Sequence, residues 1–149
     1  MFNRRMENNM KVTSVLETCL YADDLAEAEH FYTDVLGLVV YARQLDRHVF
    51  FRCGTQMVLI FNARVTSQEK PAPGSSAPTS HGAVGPGHCA FAVRNDELQD
   101  WRDWLRLKNV PIDSEVAWPN GGISIYFRDP AGNHLEVATR KLWEIPEPA

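Results

Sequence analysis

Three side chains have types and positions suited to metal chemistry: Glu17, His88 and Glu136. Each lies in a short stretch of alternating apolar character. Carboxylates and an imidazole aimed from strands into one space are how a protein holds a divalent metal. An ionised carboxylate among small neighbours needs a partner or it neutralises, and a metal ion satisfies it. Taken singly, each has a plainer reading. His88 suits a hydrogen-bonded strand start, and Glu17 and Glu136 suit solvated strand carboxylates. Convergence of the three implies a metalloenzyme, and its absence implies a binding module.

The elements that must position them come as a repeat. Residues 13–22 alternate as a strand, with Leu16, Leu20 and Ala22 on one face and Glu17, Cys19 and Tyr21 on the other. Asp23 and Asp24 suit helix caps. Asp24 with Glu27 three residues on forms a capping box, Leu25, Ala28, Phe31, Tyr32 and Val35 make the apolar stripe, and Gly37 stops the helix. Val39–Ala42, His48–Arg52 and Met57–Asn62 follow as strands. The second half repeats this order. His88–Val93 is a strand, and a helix begins at Asp96 with Gln99 in the capping-box position. Glu115–Trp118, Ile123–Phe127 and His134–Ala138 are strands, the last two joined by an Asp129-Pro130-Ala131-Gly132-Asn133 turn. The Trp101/Trp104 pair suits helix packing, and His30 suits the surface.

Module one therefore covers about 13–65 and module two about 88–140 of a single domain spanning 1–149. Residues 66–87 between them are rich in Pro, Gly and Ser and read as a linker or a mobile loop; as a loop lying just before His88 it is a candidate cover for the pocket.

In each strand one face is bulky and apolar and should pack on the helices. The other is small or polar, with Glu17 and Cys19, His88 with Ala90 and Ala92, Ser124 with Tyr126, and His134 and Glu136 with Ala138. Such a face is a cavity wall. Tyr21, Arg52, Ser124 and Tyr126 follow by parity as residues that touch the substrate or support those that do, with Trp118 and Asn120 at the rim. Cys19 and Cys89 read as small core residues.

With 44% hydrophobic and 23% charged residues, the composition is that of an ordinary globular protein. A net charge of -4, with Arg4–Arg5 as the longest basic cluster, argues against nucleic acid. No run is long enough to cross a membrane, and the first ten residues lack the apolar core of an export signal. Three cysteines without a CxxC pair fit a reducing compartment, so the cytoplasm is expected.

Glu17-Thr18-Cys19-Leu20-Tyr21-Ala22-Asp23-Asp24-Leu25 with Phe31-Tyr32-Thr33-Asp34-Val35-Leu36-Gly37-Leu38, and Gly87-His88-Cys89-Ala90-Phe91-Ala92-Val93 with Phe127-Arg128-Asp129-Pro130-Ala131-Gly132-Asn133-His134-Leu135-Glu136, resemble the vicinal oxygen chelate superfamily. That superfamily includes glyoxalase I, bleomycin-resistance proteins, extradiol dioxygenases and fosfomycin-resistance thiol transferases. The resemblance implies an α+β fold in which two βαβββ modules form a curved mixed sheet around a cavity. It also implies a divalent metal ion (Mn, Fe, Ni, Mg or Zn), a small substrate bound through two adjacent oxygens, and a homodimer.

His88 and Glu136 match ligand positions of that family. Glu17 stands where the family usually has His or, in some glyoxalases, Gln. Two carboxylates and one imidazole favour a harder ion such as Mn²⁺, Fe²⁺ or Mg²⁺. The fourth carboxylate of glyoxalase I has no counterpart in Met57-Val58-Leu59-Ile60-Phe61, and Tyr21 stands where its glutathione-anchoring Arg is expected. Dioxygenase, lyase or thiol-transferase chemistry is expected rather than glyoxalase I itself. The rival is a metal-free protein of the bleomycin-resistance kind that sequesters a small ligand.

Overall fold

The computed structural model describes residues 10–149. The Arg4–Arg5 pair, and most of the segment read as lacking an export signal, lie outside them. Each module forms its own four-stranded mixed sheet. In the first, β1 (Glu17–Tyr21) is followed by α1 (Leu25–Asp34), β2 (Val39–Gln44), β3 (His48–Cys53) and β4 (Gln56–Phe61), in the order β1-β4-β3-β2. A short α2 (Ala63–Thr66) follows. In the second, β5 (His88–Val93) precedes α3 (Leu98–Leu107), β6 (Ser114–Ala117), β7 (Ile123–Arg128) and β8 (His134–Thr139), in the order β5-β8-β7-β6. In both, the first strand lies parallel to the last at the sheet edge.

The expected repeat is present, with local corrections. The first strand is shorter than residues 13–22 because its partner β4 spans only Gln56–Phe61. Asp24 caps α1, its carboxylate accepting from the Glu27 amide at 2.9 Å. Asp23 is no cap, since it pairs with Arg64 at 2.7 Å. Nor is Asp96, whose carboxylate holds the Arg94 guanidinium at 2.8 and 2.9 Å. There Glu97 accepts from the Arg94 amide at 2.8 Å, and a 3-10 turn (Asn95–Glu97) precedes α3. Asn62 lies beyond β4 and accepts from the Arg64 amide at the start of α2. Cys19 is exposed rather than buried, because β1 turns it to the face away from the helices. Cys89 does pack against the core, and burial pushes its thiol up to about 11.

The helix-bearing faces of the two sheets share one core. Leu20, Val49, Phe51, Val58 and Ile60 come from the first sheet, and Val93, Ile125, Phe127, Leu135 and Val137 from the second. Ala28, Phe31 and Tyr32 of α1 and Leu98 and Leu105 of α3 complete it. Trp104 donates its indole N–H to the Val35 carbonyl at 2.8 Å, which ties the two helices.

The motifs FYTDVLG and DPAGNHLE meet in space. The Tyr32 hydroxyl donates to Asp129 Oδ2 at 2.9 Å, and both residues are buried. Asp129 also accepts from the Asn133 amide and side chain, each at 2.8 Å. Asn133 in turn donates to the Tyr21 carbonyl at 3.0 Å and accepts from the Gly87 amide at 2.8 Å. The buried carboxylate is satisfied, and the turn clasps the end of β1 to the start of β5. Gly132 has φ of 85°, which the turn requires and most side chains resist. Among the described residues no helix is long and apolar enough to cross a membrane.

Candidate metal centre

The two sheets leave one face each outside the shared core, and the expected ligands are divided between them. On the second sheet, His88 and His134 are register partners, and Glu136 lies two residues further along β8 on the same face. His88 Nε2 and Glu136 Oε1 are 3.2 Å apart. The His88 side chain is 52% exposed and that of Glu136 is 6% exposed, so the carboxylate is sunk and the imidazole stands at the mouth.

The chemistry of this pair is specific. His88 Nδ1 lies 2.8 Å from the His134 carbonyl oxygen, which can only accept. The ring therefore donates from Nδ1, and in its neutral form Nε2 carries a bare lone pair. That lone pair confronts Glu136 Oε1. The other carboxylate oxygen, Oε2, is buried without a hydrogen-bond partner. A proton on Nε2 would convert the contact to an ion pair but leave Oε2 unsatisfied. A divalent cation satisfies Nε2 and the carboxylate together, so the residues fit a metal.

A cavity of about 480 Å³ opens over the pair, with Trp118, Tyr126, Leu142 and Trp143 in its walls. Tyr126 stacks on His134 with ring centroids 4.8 Å apart and an interplanar angle of 6°. Ser124 is fully buried, and its hydroxyl accepts the Trp118 indole N–H at 3.0 Å. It positions the indole and does not face the cavity. Trp118, Asn120 and Tyr126 thus line one cavity with His88 and Glu136.

Glu17, Tyr21 and Arg52 do not. Glu17 is exposed on β1, opposite Met57 of the first sheet. Arg52 lies over the Tyr41 ring at 4.5 Å. The Tyr21 hydroxyl is 2.8 Å from His81 Nδ1, and burial, then Cys19, pushes its phenol up to about 12. Among the described residues, no three His, Cys, Asp or Glu side chains gather around one point.

The loop is also placed differently from expectation. Its His81 packs against Tyr21 and Phe61, and its Glu69 pairs with Arg47 at 2.6 Å. It straps the first sheet rather than covering His88. The pocket beside His88 is instead bordered by Leu142 and Trp143 of a 3-10 turn (Arg140–Trp143). The sequence places an apolar segment at 142–146 that packs on a partner or folds back on its own sheet, and the chain folds it back.

Comparison with known proteins follows the same outline. A family model described as Glyoxalase/Bleomycin resistance protein/Dioxygenase superfamily matches residues 14–137. A solved structure titled lactoylglutathione lyase from Agrobacterium tumefaciens is 40% identical, with a TM-score of 0.85 over 91% of this chain and 100% of that one. A curated protein named metallothiol transferase FosB, from Staphylococcus epidermidis, is 29% identical over 89% of this chain and 86% of its own length. A glyoxalase/bleomycin resistance protein/dioxygenase from Nocardioides shares the fold at 19% identity and a TM-score of 0.68, covering 91% of this chain and 88% of its own.

Proposed function

The chain belongs to the glyoxalase/bleomycin resistance protein/dioxygenase superfamily, and from that premise we propose that it is a divalent-metal-dependent enzyme binding a small substrate through two neighbouring oxygens. The observation that carries this is the unpartnered Glu136 Oε2, buried beside an acceptor-to-acceptor contact with His88. His88 and Glu136 hold the ion, and the His134 carbonyl fixes the imidazole that presents Nε2 to it. Glu17 is the third ligand, and its position on a separate exposed face is accounted for by a homodimer. One copy's first sheet then lies over the other copy's second sheet. Bound there, the metal supplies Lewis acidity for charge developing on the substrate oxygens.

The ligand set, two carboxylates and one imidazole, favours Mn²⁺, Fe²⁺ or Mg²⁺. Trp118 and Tyr126 orient the substrate, and the Arg140–Trp143 turn limits water at the mouth. The relatives support thiol transfer and lyase chemistry as classes, and the reaction is left at that level. β4 offers no acid as a fourth ligand, which weighs against lactoylglutathione lyase activity for this chain. Three free cysteines are consistent with a cytoplasmic setting. The separation of Glu17 from the pair favours one alternative, a metal-free ligand-binding protein of the bleomycin-resistance kind.

Metal loading separates the two. Chelator-stripped protein titrated with Mn²⁺, Fe²⁺, Ni²⁺, Mg²⁺ and Zn²⁺ should bind at least one of them stoichiometrically. Glu136→Gln should weaken that binding by about 100-fold or more while leaving the metal-free melting temperature unchanged or raised, because a buried unpaired charge is removed. No stoichiometric metal under any of these conditions sinks the enzyme reading.

A further inference from the structure

The seam between α1 and α3 carries a groove that the metal site does not use. Its cavity of about 380 Å³ shares no described lining residue with the one beside His88. One wall is a stripe of α3 and its cap. Glu97, Asp100, Trp101 and Trp104 recur there at the three- and four-residue spacing of a single helix face. The other wall is the end of α1, at Val35, Leu36 and Gly37. The walls are fixed to each other, since the Trp104 indole N–H donates to the Val35 carbonyl at 2.8 Å.

The charge of this groove is one-sided. Glu97 and Asp100 are its charged lining residues, and no Lys or Arg is among those described. The cations nearby in sequence are committed elsewhere. Arg94 is held by Asp96, Arg102 by Glu115, Arg106 by Asp103 and Lys108 by Asp34. The end of α1 adds to the negative potential. Its last carbonyls form the negative pole of the helix, and its last turn holds no basic residue.

The two rings set the kind of cation that fits. Trp104 is 38% exposed and Trp101 is half-buried. An indole face attracts an alkylated ammonium, whereas a compact inorganic ion keeps its water. Lys108 Nζ lies 4.6 Å from the centroid of the Trp104 ring, so one ammonium is already seated against this indole. A cavity of a few hundred Å³ suits a small molecule better than a broad protein surface.

We propose that the groove between α1 and α3 is a second binding site, for a small organic cation whose charged nitrogen carries alkyl groups. Trp101 and Trp104 take the alkylated nitrogen, and Glu97 and Asp100 balance its charge. The site stands independently of the metal reading, so its test uses the full chain stripped of metal by chelator.

Choline and 3,3-dimethyl-1-butanol have nearly the same shape and differ in the positive charge. The chain has four tryptophans, and their indole N–H resonances report this groove through Trp101 and Trp104 and the other cavity through Trp118 and Trp143. Trp101→Phe, Trp104→Phe, Trp118→Phe and Trp143→Phe assign the signals. Choline chloride should shift the Trp101 and Trp104 signals saturably, with half-saturation at roughly 1–10 mM. Sodium chloride at matched ionic strength should leave them in place, and the alcohol should bind about 10-fold more weakly or worse. Glu97→Gln combined with Asp100→Asn keeps an acceptor for the Arg94 amide and should bring choline down to the level of the alcohol. Trp101→Leu, which keeps apolar bulk without the ring, should weaken choline by about 5- to 10-fold.

Equal affinities for choline and the alcohol, shifts reproduced by sodium chloride, or choline binding undiminished in the double carboxylate variant would each overturn the proposal. So would shifts confined to Trp118 and Trp143, which assign the cation to the cavity beside His88.

Discussion

On the first sheet the face outside the shared core carries Leu59, Phe61 and Phe50, with Glu17 exposed at the edge strand. On the second, the same positions of the same frame carry Glu136, Ala138 and Tyr126, with His88 at the edge. Glu17 and His88 each open the strand that runs parallel to the last of its module. Two residues along that last strand stands Leu59 in one module and Glu136 in the other. The repeat therefore preserves the backbone that presents ligands and varies the ligands presented. One module offers a nearly complete pair in a shaped cavity. The other offers a single carboxylate beside an apolar wall strapped by a loop.

The largest effect expected from breaking this asymmetry comes from Leu59→Glu, which gives the first sheet the residue of the second. Leu59 is 8% exposed, so an unpaired carboxylate there should cost about 3 kcal/mol or more in metal-free protein. If the two faces combine around one ion, added Mn²⁺ should recover part of that loss in thermal melts. A loss indifferent to Mn²⁺ means the faces do not share a metal.

A second test asks whether the modules cooperate between copies. Glu17→Ala alone should weaken metal binding by about 100-fold, as expected of a ligand. Co-refolding it with Glu136→Ala should restore tight binding at part of the sites, because one chain contributes Glu17 and the other contributes His88 and Glu136. Absence of any recovery, measured by metal stoichiometry after gel filtration, counts against a shared site.

The smallest effect concerns the strapped sheet. The His48 imidazole is held below its ordinary value of 6.5, first by burial and then by the Arg47 guanidinium, with Glu69 opposing. The folded chain thus takes up this proton less readily than the unfolded one. Its contribution to stability is full above 6.5 and is lost as pH falls through the folded value. Between pH ~7.5 and pH ~5.5 the wild-type melting temperature should fall more than that of His48→Phe, by about a degree or two. A drop of equal size in both proteins removes His48 from the account.

Much of this was legible in the chain. Alternation gave the strand faces, and with them the placement of His88 and Glu136 on one surface. The two family motifs identified the frame, and in this chain they meet, the Tyr32 hydroxyl of one donating to Asp129 of the other. What periodicity could not give was which polar group takes which partner. Ser124 has the parity of a residue that touches the substrate or supports one that does, and its bond to Trp118 decides for support. Asp96 has the type of a cap but is drawn off by Arg94. The loop has the composition of a lid, yet Glu69 and His81 find their partners on the first sheet. Such choices depend on distances between segments far apart in sequence.

The clasp of Asp129 and Asn133 has a consequence for how such a protein diverges. Its bonds end on the Tyr32 hydroxyl and on backbone atoms of Tyr21 and Gly87, and it takes nothing from the Glu17, His88 or Glu136 side chains. Mutation can therefore rewrite the reacting surface one residue at a time while the architecture stays closed, and inheritance of the frame carries no obligation to inherit the chemistry.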